Sequence, residues 1–364
     1  MKTLNIIIKG LLLFIIFNLL FALLQPRIGR FSAYNVIFPG RERLPFGENS
    51  AKAYNLSLFD LDAMFASHEI GGDEKQSDEF RVILIGDSSV WGTLLKPEET
   101  LAGQLNSAEI SACGKNVRAY NLGYPTISLT KDVLLLSRAL DYQPDLVIWL
   151  TTLEAFPLEK QLASPLAANN KESLLRLAGR SGLRVDANDP AFSRDSFWDS
   201  TIVGRQRALA DVFRLQIYGV MWAATGIDQV YPVDYQKAQT DLEAGQKFHA
   251  FEPPAMDENL LALNALEAGI KLAGDTPIVI VNEPMLISAG ENSGVRYNFF
   301  YPRWAYDQYR AMMSRLSRKN NWAYVDLWDA VPAAEFTNSA IHLTPQGGAL
   351  LSEKLLPVIA AACK

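Results

Sequence analysis

Apolar and polar positions follow different rhythms in different parts of the chain. Leu4 to Leu24 is almost wholly apolar, interrupted only by Asn5, Lys9 and Asn18. That is roughly the 20 residues a helix needs to cross a bilayer. From Arg81 onward, short runs rich in β-branched and apolar residues alternate with helical patterns. The runs at Arg81–Ile85, Val117–Asn121, Leu146–Leu150, Pro277–Val281 and Trp322–Asp326 predict five strands. Helical spacing is found near Glu98–Asn106, Lys131–Leu140, Glu258–Leu272, Arg303–Arg318 and Pro345–Ala361. Strands separated by helices predict an α/β fold with a five-stranded parallel sheet covered on both faces. Such sheets bind ligands at the carboxyl ends of their strands. The residues that directly follow each strand are therefore where chemistry is expected.

Two stretches break the rhythm. Phe31 to Gln76 is rich in Gly, Pro, Asn and aromatics and reads as an irregular lead-in, with a short helix near Leu58–His68. His68 there reads as an ordinary surface or packed histidine. Residues 155–254 hold clusters of Pro, Asn and Asp and one long apolar helical pattern, Gly204–Gly226. Arg205, Arg207, Asp211, Arg214 and Gln216 make that pattern too polar for a second span. The interval is expected to form a helical cap over the site. Tyr218–Ala224 is read as packing the cap on the body, with contact to a membrane surface or membrane partner as the alternative. The expected organisation is an anchor at 1–26, a lead-in at 27–80, a body at 81–154 and 255–364, and the cap insertion at 155–254.

Composition narrows the possibilities. A net charge of −6 over 364 residues gives no reason to expect a nucleic-acid partner. Cys113 and Cys363 are the only cysteines and form one disulfide or none. Three histidines, His68, His249 and His342, leave little material for a metal site. No Cys-x-x-Cys or His-x-x-x-His pattern is present, so structural zinc is not expected; no cofactor is predicted. Lys2 before the apolar run also suits a signal peptide. Phe21 to Pro26 lacks a small-x-small cleavage site, which favours an uncleaved anchor. Arg27, Arg30, Arg41 and Arg43 follow the run, so a count of basic residues puts the body in the cytoplasm.

The strand at Arg81–Ile85 runs into Gly86-Asp87-Ser88, with Gly92 four residues beyond the serine. Strand, tight turn, helix is the context that lifts a serine to the open end of a parallel sheet. This stretch resembles the first block of the SGNH (GDSL-type) hydrolases, with Ser88 in the nucleophile position. Gly123, after the second strand, matches the family glycine whose N–H donates to the oxyanion. Near the C-terminus, His342-Leu-Thr-Pro-Gln-Gly347 resembles the block carrying the catalytic histidine. Thr344 and Pro345 are a helix N-cap and first residue, so His342 falls on the preceding loop. Two blocks depart from the family. Thr151-Thr152-Leu153-Glu154 has Leu153 where an oxyanion-hole Asn is usual, leaving Thr151 or Thr152 as substitute donors. The usual Asp three residues before the histidine is Ser339, preceded by Asn338. Asp326 and Asp329 are the nearest aspartates in sequence; Asp326 is taken as the triad acid unless the site works as a dyad. Asn282-Glu283-Pro284 reads as a turn, and the aromatic run Arg296–Trp304 as a docking segment rather than a sugar platform.

The resemblance implies a flavodoxin-like three-layer sandwich and an esterase or O-acyltransferase. Its catalytic residues would be Ser88, His342 and Asp326, and its oxyanion hole Ser88, Gly123 and Thr152. It also implies an extracytoplasmic body, against the basic-residue count. Anchored proteins of this kind resemble the D-alanyl-lipoteichoic-acid transfer proteins and the alginate and peptidoglycan acetylation factors. These act on acylated cell-envelope glycan, often beside a membrane-bound O-acyltransferase. The other class consistent with the altered blocks is a catalytically weak glycan binder or scaffold. A nucleotide-binding flavodoxin-like domain lacks its phosphate loop here.

Overall fold

The structure is a computed structural model that describes residues 2–26, 74–192, 197–206 and 234–363, with positions 37, 61, 65, 70, 209, 210, 213, 217, 220, 221, 224 and 225. Most of the helix expected near Leu58–His68, of which positions 61 and 65 are described and helical, the arginines at 27, 30, 41 and 43, and much of Gly204–Gly226 lie outside the described residues. The chain divides into two compact units. One contains helix α1 (Lys2–Leu24) and the described residues from 197 to 225; the other contains residues 74–167, 172–186 and 234–363.

The second unit is built on a six-stranded sheet. Its strands are β1 (Glu79–Gly86), β2 (Ser111–Ala112), β3 (Lys115–Gly123), β4 (Leu146–Thr151), β5 (Ile278–Asn282) and β6 (Ala323–Asp326), in the spatial order β2-β3-β1-β4-β5-β6. The five strands expected from the sequence become six because β2 forms an antiparallel edge on β3. It is two residues long, too short to leave an apolar period. Its turn has positive φ at both Cys113 (+53°) and Gly114 (+75°), the conformation that closes two-residue hairpins. The other five strands are parallel. In that parallel set β1 lies between β3 and β4, so the chain's direction of travel across the sheet reverses at β1. A ligand crevice forms at such a switch point, beyond the carboxyl ends of the strands.

Helices cover both faces. They are α2 (Ser88–Trp91), α3 (Leu101–Ser107), α4 (Leu129–Ala139), α5 (Leu263–Ala273), α6 (Arg303–Asn320) and α7 (Pro345–Ala361). On one face α3 and α7 bury Leu101, Leu105, Leu351 and Leu355 against Val82, Leu84, Ile148 and Leu150. On the other, α4 packs on α5. A Cβ on Gly269 would come within 2.5 Å of the Trp149 ring, so glycine is what lets α5 close over that indole. Thr100, Ser128 and Thr344 cap α3, α4 and α7 through their hydroxyls, as their residue types favour. Cys113 and Cys363 form a disulfide, Cα–Cα 5.2 Å, that ties the β2–β3 turn to the end of α7.

Candidate active site

β1 delivers Gly86-Asp87-Ser88 to the switch point. Asp87 caps the single-turn helix α2 by accepting from the Ser89 N–H at 2.8 Å. That cap points Ser88 outward, half-exposed at the head of α2, while Val90 enters the core. Gly123 lies level with Gly86 on β3. A Cβ at Gly123 would come within 2.1 Å of the Trp91 nitrogen, so only glycine allows α2 to sit this close.

His342 arrives from the far end of the chain. Phe336 pairs antiparallel with Leu343, and the Thr337 N–H donates to the His342 carbonyl at 2.8 Å. The Leu286 N–H, just beyond β5, donates to the Ala340 carbonyl at 2.7 Å and pins this loop to the sheet. The result brings the two sequence-predicted residues together: His342 Nε2 lies 2.8 Å from Ser88 Oγ. Behind the ring, Nδ1 lies 2.8 Å from Asn338 Oδ1. With Oδ1 as acceptor, Nδ1 carries the proton and Nε2 is free to accept from the serine. Burial, with no carboxylate beside it, pushes the imidazole down to about 4.

Asp326 does not stand behind the histidine. It ends edge strand β6 opposite Asn282, whose amide donates to Oδ1 at 2.8 Å. Its Oδ2 takes Arg310 of α6 through Nε at 2.9 Å and Nη2 at 2.8 Å. Both oxygens are thereby committed elsewhere. The side chain behind the ring is that of Asn338, because Thr337 sits opposite His342 and the following side chain reaches back across the turn. The exposed Asp329 takes no part in it.

Two of the three expected oxyanion donors are also engaged. The Gly123 N–H donates to Asn121 Oδ1 at 3.0 Å. Thr152 is fully buried, its hydroxyl 2.9 Å from the Tyr301 hydroxyl. Leu153 is buried as well. Among the described residues the Ser88 N–H has no acceptor.

A buried acid lies under the Ser88 turn. Glu283, directly after β5, is 2% exposed and accepts from the Ser89 hydroxyl through Oε2. Among the described residues its Oε1 has no partner. Burial, then the neighbouring Asp87 charge, hold the Glu283 carboxyl well above the usual range. Burial also raises Asp87. Beneath them the fully buried Lys131 donates to the Gly86 and Tyr124 carbonyls at 2.7 and 3.3 Å and pairs with Asp132 at 2.6 Å. In the sequence Asn282-Glu283-Pro284 has only the signature of a turn, and Lys131 only that of a helix position. An acid ending a buried apolar strand was the one available signal. On the rim after β4, His249 lies between two carboxylates, 2.9 Å from Glu154 and 3.0 Å from Glu159, and Lys160 also pairs with Glu154. The aromatic run after β5 is a docking segment. Tyr301 is fully buried, and Arg296 spends its guanidinium on the Gly245, Asn298 and Phe299 carbonyls.

No protein-family model matches this chain, and no curated protein matches it. Solved structures with a similar outline include a carbohydrate acetylesterase family member from Sinorhizobium meliloti, 11% identical, covering 78% of this chain and 98% of its own at a TM-score of 0.33. A member of the lipolytic protein G-D-S-L family from Veillonella parvula is 11% identical over 76% of this chain and 97% of its own, with a TM-score of 0.33. The aryl esterase of M. smegmatis is 12% identical over 78% of this chain and 99% of its own, with a TM-score of 0.34. Likeness at this level carries nothing about the reaction or the substrate.

Proposed function

We propose that this chain is a membrane-anchored SGNH-type serine esterase or O-acyltransferase working through an acyl-Ser88 intermediate. The observation that supports it is the chain of contacts Ser88 Oγ–His342 Nε2 and His342 Nδ1–Asn338 Oδ1, both 2.8 Å, at the carboxyl ends of the strands. A serine hydroxyl is a weak nucleophile until a base takes its proton. His342 Nε2 takes that proton as Ser88 Oγ bonds to the ester carbonyl carbon. The tetrahedral oxyanion is met by the Ser88 N–H. When the intermediate collapses, the ester C–O bond breaks and His342 returns the proton to the departing alkoxide. Water or a sugar hydroxyl then gives its proton to Nε2 and attacks the acyl carbon; the acyl C–Oγ bond breaks and His342 hands the proton to Ser88 Oγ. Water gives hydrolysis and the sugar gives transfer.

The substrate class implied by the resemblance is acylated cell-envelope glycan, with a membrane-bound O-acyltransferase as partner and the body outside the cytoplasm. The disulfide fits an oxidising compartment. The committed Gly123 N–H and Thr152 hydroxyl favour a second reading, a catalytically weak glycan-binding or scaffold protein. Losing one oxyanion donor typically costs about 3–4 kcal/mol of transition-state stabilisation. Fluorophosphonate labelling separates the two. The enzyme is captured covalently at Ser88, and Ser88→Ala and His342→Ala abolish capture. A folded protein that resists the probe is the binder.

A further inference from the structure

The smaller unit carries a surface that the reaction does not use. Among the described residues, every exposed large apolar side chain except Leu158 and Leu260 belongs to the unit of α1. Most of them line α1 itself. The rest include Phe197 and Trp198, 67% and 60% exposed, and Phe213, Ile217 and Met221, 70%, 62% and 56% exposed. The described positions from 209 to 225 are helical, so residues 213, 217 and 221 fall four apart on one face. A monomer rarely leaves apolar surface so concentrated without something to cover it.

Asn18 fixes where this surface lies along α1. It is the one polar residue in the second half of the apolar helix, and it is 8% exposed. Its amide donates to the Phe14 carbonyl at 2.9 Å, and its Oδ1 accepts from the Val203 N–H at 3.2 Å. Both ends of the side chain are thereby satisfied inside the unit, as hydrocarbon surroundings require. Asn18 stands six residues before Leu24, the last residue of α1. At 1.5 Å per residue that is about 9 Å below the end of the helix.

We infer that the described residues from 197 to 225 form a second membrane element. It lies in the outer part of one leaflet against α1, with Phe197, Trp198, Phe213, Ile217 and Met221 in the lipid. The inference rests on the reading of α1 as a span. Arg205, Arg207, Asp211, Arg214 and Gln216 make the segment too polar to cross. Amphipathic helices of that kind sit about 5–10 Å into the headgroup and acyl boundary, which matches the depth of Asn18. The smaller unit thereby meets the bilayer through two elements rather than one.

The test uses the full chain in phosphatidylcholine–phosphatidylglycerol vesicles, with the native disulfide intact and single cysteines carrying an environment-sensitive fluorophore. Phe213→Cys, Ile217→Cys and Met221→Cys are expected to give blue-shifted emission, quenched by lipids spin-labelled near the headgroup. Phe14→Cys should be quenched by deep-labelled lipids, and Leu260→Cys by neither. Water-like emission at 213, 217 and 221 with Phe14→Cys quenched overturns the second element and leaves the anchor standing. Water-like emission at all four removes the anchor and this element with it. Blue-shifted emission without lipid quenching means that protein covers the face, a second copy or a partner, and also overturns the proposal. Labelling of the unsubstituted chain with a photoreactive phospholipid gives an independent readout. Adducts are expected on peptides from 197–225 as well as on α1, and adducts confined to α1 count against it.

Discussion

In the proposed reaction His342 is a base oriented by an amide rather than by a carboxylate. Asn338 selects the tautomer but brings no charge to stabilise the imidazolium. With the pKa lowered by burial to about 4, the histidine stays neutral through most of the acid range. The acid limb of kcat/KM on an aryl acetate should therefore fall near pH 4 rather than near 6.5. Asn338→Asp places an opposite charge beside the ring and should move that limb upward by about 1–3 pH units while raising kcat. A limb that stays in place would show that residue 338 does not touch the base in the working protein. Glu283 gives a second test at this scale. Burial, then Asp87, raise its carboxyl in the folded protein above the unfolded value. Its contribution to stability is therefore fully present below about pH 4.5 and is lost as the pH rises toward the folded value. Glu283→Gln keeps an acceptor for Ser89 and removes the titration. Denaturant unfolding between pH 5 and 9 should show the variant losing less stability than the parent as the pH rises.

At the scale of elements, the site depends on how closely the one-turn helix α2 rests on β3. Gly123→Ala would force its Cβ into the Trp91 backbone, which has no flexible side chain to move aside. The expected outcome is a loss of about 1–3 kcal/mol, in the range of other overpacked cores. Loss of Ser88 labelling should accompany it, because α2 carries Ser88. Unchanged stability would mean that α2 is free to shift. The apolar strand runs and most helix ends were legible in the sequence because burial on both faces leaves continuous apolar runs, and Thr-Pro and Ser caps have local signatures. The edge strand β2 was not legible, since two residues cannot show a period. Asp326 was misassigned for a related reason. Nearness in sequence to His342 says nothing about which way the end of β6 points, and there the neighbours are Asn282 and Arg310.

For the whole molecule, the disulfide joins positions separated by 250 residues. Closing so long a loop stabilises chiefly by restricting the unfolded chain. Cys113→Ser should cost about 2–4 kcal/mol in denaturant unfolding of the detergent-solubilised chain. The bond also bears on orientation. Protein taken from cells under acid quench should resist thiol alkylation until it is reduced if the body lies outside the cytoplasm. Alkylation at both cysteines without reduction would favour the cytoplasmic side, as the count of basic residues does.

By itself the sequence determined the alternating α/β architecture, the apolar N-terminal helix, and the serine and histidine that would carry the chemistry. Each of these is written in local periodicity, in a turn, or in a cap. The partner behind the histidine, the engagement of Gly123 and Thr152, the acid beneath Ser89 and the pairing of Asn18 with Val203 were decided only by the tertiary structure. Those contacts join residues far apart in the chain or across a turn. Their energies depend on burial and hydrogen-bond geometry, which a residue acquires only when the rest of the fold surrounds it.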